Sequence, residues 1–340
     1  MTGRAAYGGA GAAPAADRQR GVALIMALVV TFVAVGVAGF LAVRQHTAIE
    51  RTAALVNQAQ VQQYLGGVEA WVGMNLERQI KRTGWIGLNQ AWAQPLAPTA
   101  IGEGDSGRLT GRVEDLQGRF NINNLVHGGK VDALAQTRFA RLLQALDLPP
   151  DIAQAVIDWM GVHAGGARGT AGDTQEAYYL GRTPPYVAAN GPFASVTTLR
   201  LVRGVTPAVY AKLAPYVTAL PAVTAINVNT ASATVLRAVG LDEAEAAGVV
   251  AERARSAYTN IEAFMSSSSL AKAHIEPDRL AVSSRYFAVY SRLGLGAGTG
   301  RPYLSILSID AGGHAHVLRR ATVFARRVPG PPVTPAKGES

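Results

Sequence analysis

The sequence contains no cysteine. Disulfides, thiolate nucleophiles and cysteine-based zinc sites are thereby excluded, and the compartment is left open between a reducing cytosol and a disulfide-free periplasm. Charge is also sparse. Asp, Glu, Lys and Arg make up 16% of the 340 residues, and no block of five like charges occurs despite a net charge of +9 and a pI near 10.0. Such a balance can serve nucleic acid or an anionic membrane, but its diffuse placement reads as a mildly basic surface. Histidine is scarce too. His46, His127, His163, His274, His314 and His316 include no i, i+4 metal pair, and the chain has neither a Gly-x-Ser-x-Gly elbow nor a phosphate loop. These absences argue against an enzyme. What is abundant is apolar residue content, 49%, enough for one membrane anchor and one or two soluble domains.

The strongest signal is Val22 to Val43, which contains no charged residue. A helix of that length covers roughly 33 Å, enough to cross a hydrocarbon core. It exceeds the apolar region of a cleaved secretory signal. Arg18 and Arg20 precede it, opposed only by Asp17, which predicts a cytoplasmic N-terminus and an exported remainder. Residues 44–82 lack proline and predict a continuation of the same helix. Ala48, Leu55, Val61, Leu65, Val68 and Val72 form its apolar stripe, with Glu50, Arg51, Glu69, Glu77 and Arg78 off it.

The stretch Arg20-Gly21-Val22-Ala23-Leu24-Ile25-Met26, a basic leader ending in Gly directly before an apolar run, resembles the prepilin leader junction. The resemblance implies cleavage by a prepilin peptidase between Gly21 and Val22, retention of the apolar helix and N-methylation of Val22. Most pilins carry Glu at the fifth position after the cut, where its carboxylate neutralises a neighbouring subunit's terminal ammonium. Here that position is Met26. A subunit with nothing above it in the filament has no ammonium to neutralise, so the missing Glu fits a tip subunit and equally a plain anchor.

Further along, residues 84–107 are rich in Gly, Pro and Ala and read as a loop, with Trp85 and Trp92 expected as core anchors. Leu109 to Leu116 reads as a strand. Helices are predicted at 131–146, 151–160, 195–203, 207–214, 230–239, 242–255 and 259–265. Asp132, Asp151, Ser195, Asn229 and Asp242 stand at or near their starts. Strands return at Arg285 to Ser291, Tyr303 to Asp310 and His316 to Arg326. Long helix, strand, helical block and strands make an α+β chain with a helical insertion.

Two segments repeat as helix, glycine turn, helix: Ser195 to Pro207 around Gly204, and Ser232 to Glu243 around Gly240. They resemble the helix-hairpin-helix module, whose DNA-binding form holds phosphate on the bare amides of a Gly-apolar-Gly turn. Thr206 and Asp242 replace the second glycine. The expected reading is a structural hairpin pair with capped helices, and nucleic acid is the disfavoured partner. A membrane-anchored DNA-binding or DNA-uptake protein is the rival function.

A set of ordered phrases narrows the class. They are Glu114-Asp115-Leu116-Gln117-Gly118-Arg119-Phe120-Asn121-Ile122-Asn123-Asn124-Leu125, Val156-Ile157-Asp158-Trp159, Tyr178-Tyr179, Pro184-Pro185-Tyr186, Ala189-Asn190-Gly191-Pro192, Leu199 to Gly204, Ile226-Asn227-Val228-Asn229-Thr230-Ala231 and Ser283-Ser284-Arg285-Tyr286-Phe287. In this order, over about residues 18–326, they resemble the K subunit of type II secretion systems, the large minor pseudopilin, in which the acid is also missing at the position of Met26. Asn121, Asn123 and Asn124 suit turns and caps, and Asn227, Asn229 and Thr230 are expected to cap a helix near Ala231.

The resemblance implies a pseudopilin β-sheet head carrying an inserted helical, helix-hairpin-helix or SAM-like domain. The expected division is a leader at 1–21, a transmembrane half-helix at 22–43, its periplasmic half at 44–82 and a first part of the head at 83–125. An inserted helical domain at 126–222 follows. A second hairpin-like segment with the C-terminal strands then occupies 223–328, before a disordered tail at 329–340. The implied role is non-catalytic: assembly with minor pseudopilins I and J, and with H as a further candidate, at the tip of a pseudopilus. The other implied partners are the major pseudopilin, the prepilin peptidase, the secretin, exported proteins and the bacterial inner membrane. The family also implies calcium in the helical domain. Gly161 and His163 stand where further acids are usual, leaving Asp158, Asp173 and Glu176 as side-chain candidates.

Overall fold

The computed structural model describes residues 15–102, 107–162, 171–271, 273, 275–295 and 300–322. Most of the leader and the C-terminal tail lie outside them, as do His163 and His274. The chain divides into two compact units, residues 1–63 and 64–340, and the division falls inside one helix, α1 (Ala15–Thr83). In the first unit every apolar side chain from Val22 to Val43 is exposed, among them Phe32 at 78% and Val43 at 68%. A helix bearing only apolar side chains in water has no partner for its hydrophobic surface. Its length and composition suit a bilayer span.

The second unit carries a five-stranded antiparallel sheet in spatial order β1 (Leu96–Ile101), β2 (Gly107–Asp115), β3 (Tyr286–Leu295), β4 (Arg301–Ile309) and β5 (Ala315–Thr322). Strands β2 and β3 pair directly although their partners are 172 (Asp115 and Phe287) to 188 (Gly107 and Leu295) residues apart in sequence, and the helical block fills that interval. One sheet face buries Phe287, Val289, Leu307 and Ile309 against Val72 and Leu76 of α1, with Ile86 and Trp92 closing the layer. The opposite face packs Ala288 against Leu116 and Leu220.

Two expectations are corrected here. The stretch expected as a loop contains β1, an edge strand with a bulge: Leu96 pairs with Gly111 and Thr99 with Leu109, so Ala97 and Pro98 together stand opposite Thr110 and one residue is extra. Proline is tolerated at an edge where no ladder amide is required. Glu69, expected off the apolar stripe, is 4% exposed. It accepts from Ser305 Oγ and from both Nε (2.7 Å) and a terminal nitrogen of Arg320. A bidentate, hydrogen-bonded partner is what makes burying a carboxylate tolerable.

The helical block comprises α2 (Ala133–Ala145), α3 (Asp151–Trp159), α4 (Ala171–Leu180), α5 (Pro207–Leu213), α6 (Ala233–Val239), α7 (Glu243–Arg255) and α8 (Ile261–Met265). Its core stacks Phe120 on Phe139 and sets Trp159 edge-on to Tyr179. Asp132 and Asp242 cap α2 and α7 as expected, the latter in a reciprocal box with Glu245. Segment 195–203 is 3-10 rather than α, running from Val196 to Leu201 behind a Ser195 cap. Asp151 lies inside the first turn of α3, behind Pro150. Helix α4 was not expected from the sequence.

A buried polar junction and the candidate assembly site

Three of the eight family-like phrases, those at 114–125, 226–231 and 283–287, meet at one buried polar junction. Asp115 ends β2 and is 8% exposed. Its Oδ2 accepts from Thr230 Oγ1 (2.6 Å), Ser284 Oγ (2.6 Å) and Asn227 Nδ2 (2.9 Å), and its Oδ1 from the Gln117 amide (2.8 Å). One carboxylate thus ties the end of a sheet strand to the segments before α6 and before β3. Burial pushes its pKa above the ordinary carboxylate value, with the four hydrogen bonds pulling the other way. Gly118 seals the junction: a Cβ there would stand 2.8 Å from Thr230 Oγ1 and 3.0 Å from its backbone.

The asparagines do something the sequence reading missed. Asn123 donates to the Phe193 carbonyl (3.0 Å) and accepts from the Phe193 amide (2.8 Å). Asn124 does the same with Thr224 (2.7 and 3.1 Å), and Asn229 with Tyr258 (both 2.9 Å). Each side-chain amide pairs with a distant backbone as a strand would, which Asp cannot do because it lacks a donor. Asn227, Asn229 and Thr230 therefore do not cap a helix. Ser232 caps α6, its Oγ accepting from Val235. Nearby Arg253, mostly buried, donates to the Val228 carbonyl, and burial lowers its pKa to about 10, so it remains cationic at neutral pH. The signal available beforehand was the repeated Asn-apolar-Asn text in phrases otherwise rich in core residues.

The two hairpins turn at Gly204 (φ +80°) and Gly240 (φ +128°), conformations that suit glycine. Thr206 and Asp242 cap the following helices by accepting from Val209 and Glu245. The helix N-termini that would receive a phosphate are occupied by their own side chains, one of them anionic.

Asp158 lies on α3, where its Oδ1 accepts from Gln154 (2.7 Å) and its Oδ2 faces Arg203 at 4.0 Å. Glu176 is exposed on α4. Asp173 belongs to the same helix, with its side chain outside the description. Among the described residues no three acidic or histidine side chains gather as a metal site. A guanidinium facing Asp158 does not fit a cation that wants six to eight oxygens. We expect millimolar calcium or a chelator to move the melting temperature of the purified chain by less than about 2 °C. A calcium-dependent rise above about 5 °C would reveal a site completed elsewhere. Gly21, Val22 and Met26 all lie in α1; Val22 and Met26 are 58% and 66% exposed.

Among the described residues one helix is long and apolar enough to span a bilayer, and it leads into an α+β head with capped, inward-tied hairpins, the plan of a pilin-like chain. Residues 118–222 and 226–283 match two sequence families, each described as type II secretion system protein K. The chain is 34% identical over 289 residues to type II secretion system protein K of Pseudomonas aeruginosa, covering 82% of this chain and 85% of that one. It is also 34% identical to the protein of that name from Aeromonas hydrophila, over 68% and 76% of the two chains. In fold it resembles a chain in the crystal structure of the GspK-GspI-GspJ complex from enterotoxigenic Escherichia coli. That match has a TM-score of 0.67 and 23% identity, over 81% of this chain and 100% of that one. The chain belongs to the type II secretion system protein K family.

Proposed function

We propose that this chain is a single-pass inner-membrane minor pseudopilin, with its N-terminus cytoplasmic and its head periplasmic, that assembles with minor pseudopilins I and J at the pseudopilus tip. In this role it primes assembly, supports export of folded proteins and catalyses no reaction. Prepilin peptidase cuts it after Gly21, and Val22 becomes the methylated N-terminus. With Met26 in place of Glu, the subunit needs no ammonium above it, which suits the end of a filament. Contacts with H, the major pseudopilin, the secretin and exported proteins complete the reading.

The observation that carries it is the exposed apolar span on a head whose relatives are protein K and whose fold neighbour is solved with I and J. The test is to mix the detergent-solubilised chain with the host's I-like and J-like heads and measure mass by light scattering. A stoichiometric ternary complex is the expected result. Its absence, together with salt-sensitive DNA binding, would overturn the reading.

A further inference from the structure

Within the second unit a groove of about 590 Å³ runs between α1 and the β1–β2 edge. Val68, Trp71, Val72, Asn75, Arg78, Gln79 and Arg82 form one helix face along it, spanning about 21 Å at helical rise. Trp92, Leu96, Val113 and Val289 form the facing wall, and the bulge at Ala97 and Pro98 bends the strand edge beside it. The size lies in the range of ligand-accepting clefts. Trp71 stands at its rim 53% exposed, an unusual place for that residue unless something covers it.

The charge on this rim has one sign. Arg78 and Arg82 line the groove and no carboxylate does, while Arg112 turns its guanidinium to the opposite sheet face, 4.3 Å from the Tyr290 ring centre. Arg112 is balanced by Glu114 at 2.8 Å. Among the described residues neither Arg78 nor Arg82 has an ion-pair partner, and Arg82 donates only to Gln79 (2.8 Å). Neither the helix that lines the groove nor the C-terminal stretch complements this. Between residues 44 and 83 the helix offers Arg44, Arg51, Arg78, Lys81 and Arg82 against Glu50, Glu69 and Glu77. Of these acids Glu69 is buried and Glu77 accepts from the Ala315 amide. Beyond residue 322 the sequence has Arg326, Arg327 and Lys337 against Glu339. The same helix face of a second copy would set like charges together.

We propose that this groove is the seat of an amphipathic helix from a neighbouring pseudopilin subunit, whose apolar side chains cover Trp71 and the half-buried Leu96 and whose acidic side chains meet Arg78 and Arg82. The inference rests on the assembly reading above and adds which surface of this chain is used and what chemistry it selects.

The test measures binding of the full-length chain, in detergent, to the host's I-like and J-like heads. Arg78→Glu with Arg82→Glu is expected to weaken binding roughly tenfold or more and to flatten its salt dependence, and Trp71→Ala to weaken it by a similar factor. All three side chains are exposed, so unchanged melting temperatures check the fold. Independently, acrylamide quenching of Trp71, taken as the difference between the wild-type chain and Trp71→Phe, is expected to fall when the complex forms. Wild-type-like affinity of both variants, with Trp71 equally quenched in the complex, overturns the groove and leaves the assembly reading standing. Failure of the wild-type chain to bind either head overturns both.

Discussion

Replacing Asp115 with Ala is expected to lower the stability of the head by about 3–5 kcal/mol. The substitution removes the acceptor shared by four buried or half-buried donors, from Gln117, Asn227, Thr230 and Ser284. Thr230 Oγ1 has an alternative at the Asn227 carbonyl (3.4 Å) and Asn227 Nδ2 at the Ile86 carbonyl (3.1 Å) and Ser284 Oγ (2.9 Å), but the Gln117 backbone amide and the Ser284 hydroxyl are left without an acceptor. Domains are stable by only about 5–15 kcal/mol, so a fall of roughly 8–15 °C in melting temperature should follow for a unit of this size. A fall of less than about 2 °C would show that the junction is not what joins sheet to helical block.

The pH dependence has a defined sign. Burial holds the folded pKa of Asp115 above its unfolded value near 3.8. The stability linked to this group is therefore fully present below the unfolded pKa and is lost as pH rises through the folded one. Asn at this position cannot titrate, so the gap between the wild-type chain and Asp115→Asn should widen as pH falls from neutral toward about 4. A gap that narrows instead would mean that the four donors outweigh burial and hold the carboxylate below its ordinary value.

This junction also marks where reading the sequence stops. Signals local to a segment were legible: the uncharged span, the caps at Asp132, Ser195 and Asp242, and the glycine turns at 204 and 240. Each needs only neighbours within a few residues. Asn121 does cap the turn Ile122–Leu125, accepting from the Asn123 amide, but Asn123, Asn124 and Asn229 were read the same way because Asn favours caps. Their partners lie 70 residues away for Asn123, 100 for Asn124 and 29 for Asn229, and no local pattern carries such distances. Glu69 was misplaced for the same reason, since Arg320 and Ser305 that neutralise it arrive from the far end of the chain. Strand β1 was hidden by its proline, which an edge bulge accommodates and a central strand would not. The order of the family-like phrases carried more than any one of them, because folding brings three of them, far apart in the chain, to one carboxylate.

A bulky residue at position 21, such as Gly21→Trp, is expected to abolish leader removal altogether, giving an intact N-terminus by mass spectrometry, no N-methylation and no export in a complemented strain. The fold gives no reason for glycine there. Gly21 lies inside α1, and a Cβ would meet nothing within 4 Å. In a helix interior glycine is about 1 kcal/mol worse than alanine. Gly21→Ala should therefore stabilise the helix slightly while keeping a small residue before the cut, so it separates helix effects from side-chain size. Gly36 and Gly39 are equally free of neighbours, but they sit among apolar residues, whereas Gly21 alone stands where the basic leader meets the uncharged span. Gly36→Ala and Gly39→Ala should leave processing unchanged. Normal cleavage of Gly21→Trp would move the cut site or remove the peptidase from the account, and the exposed span would then serve as a plain anchor.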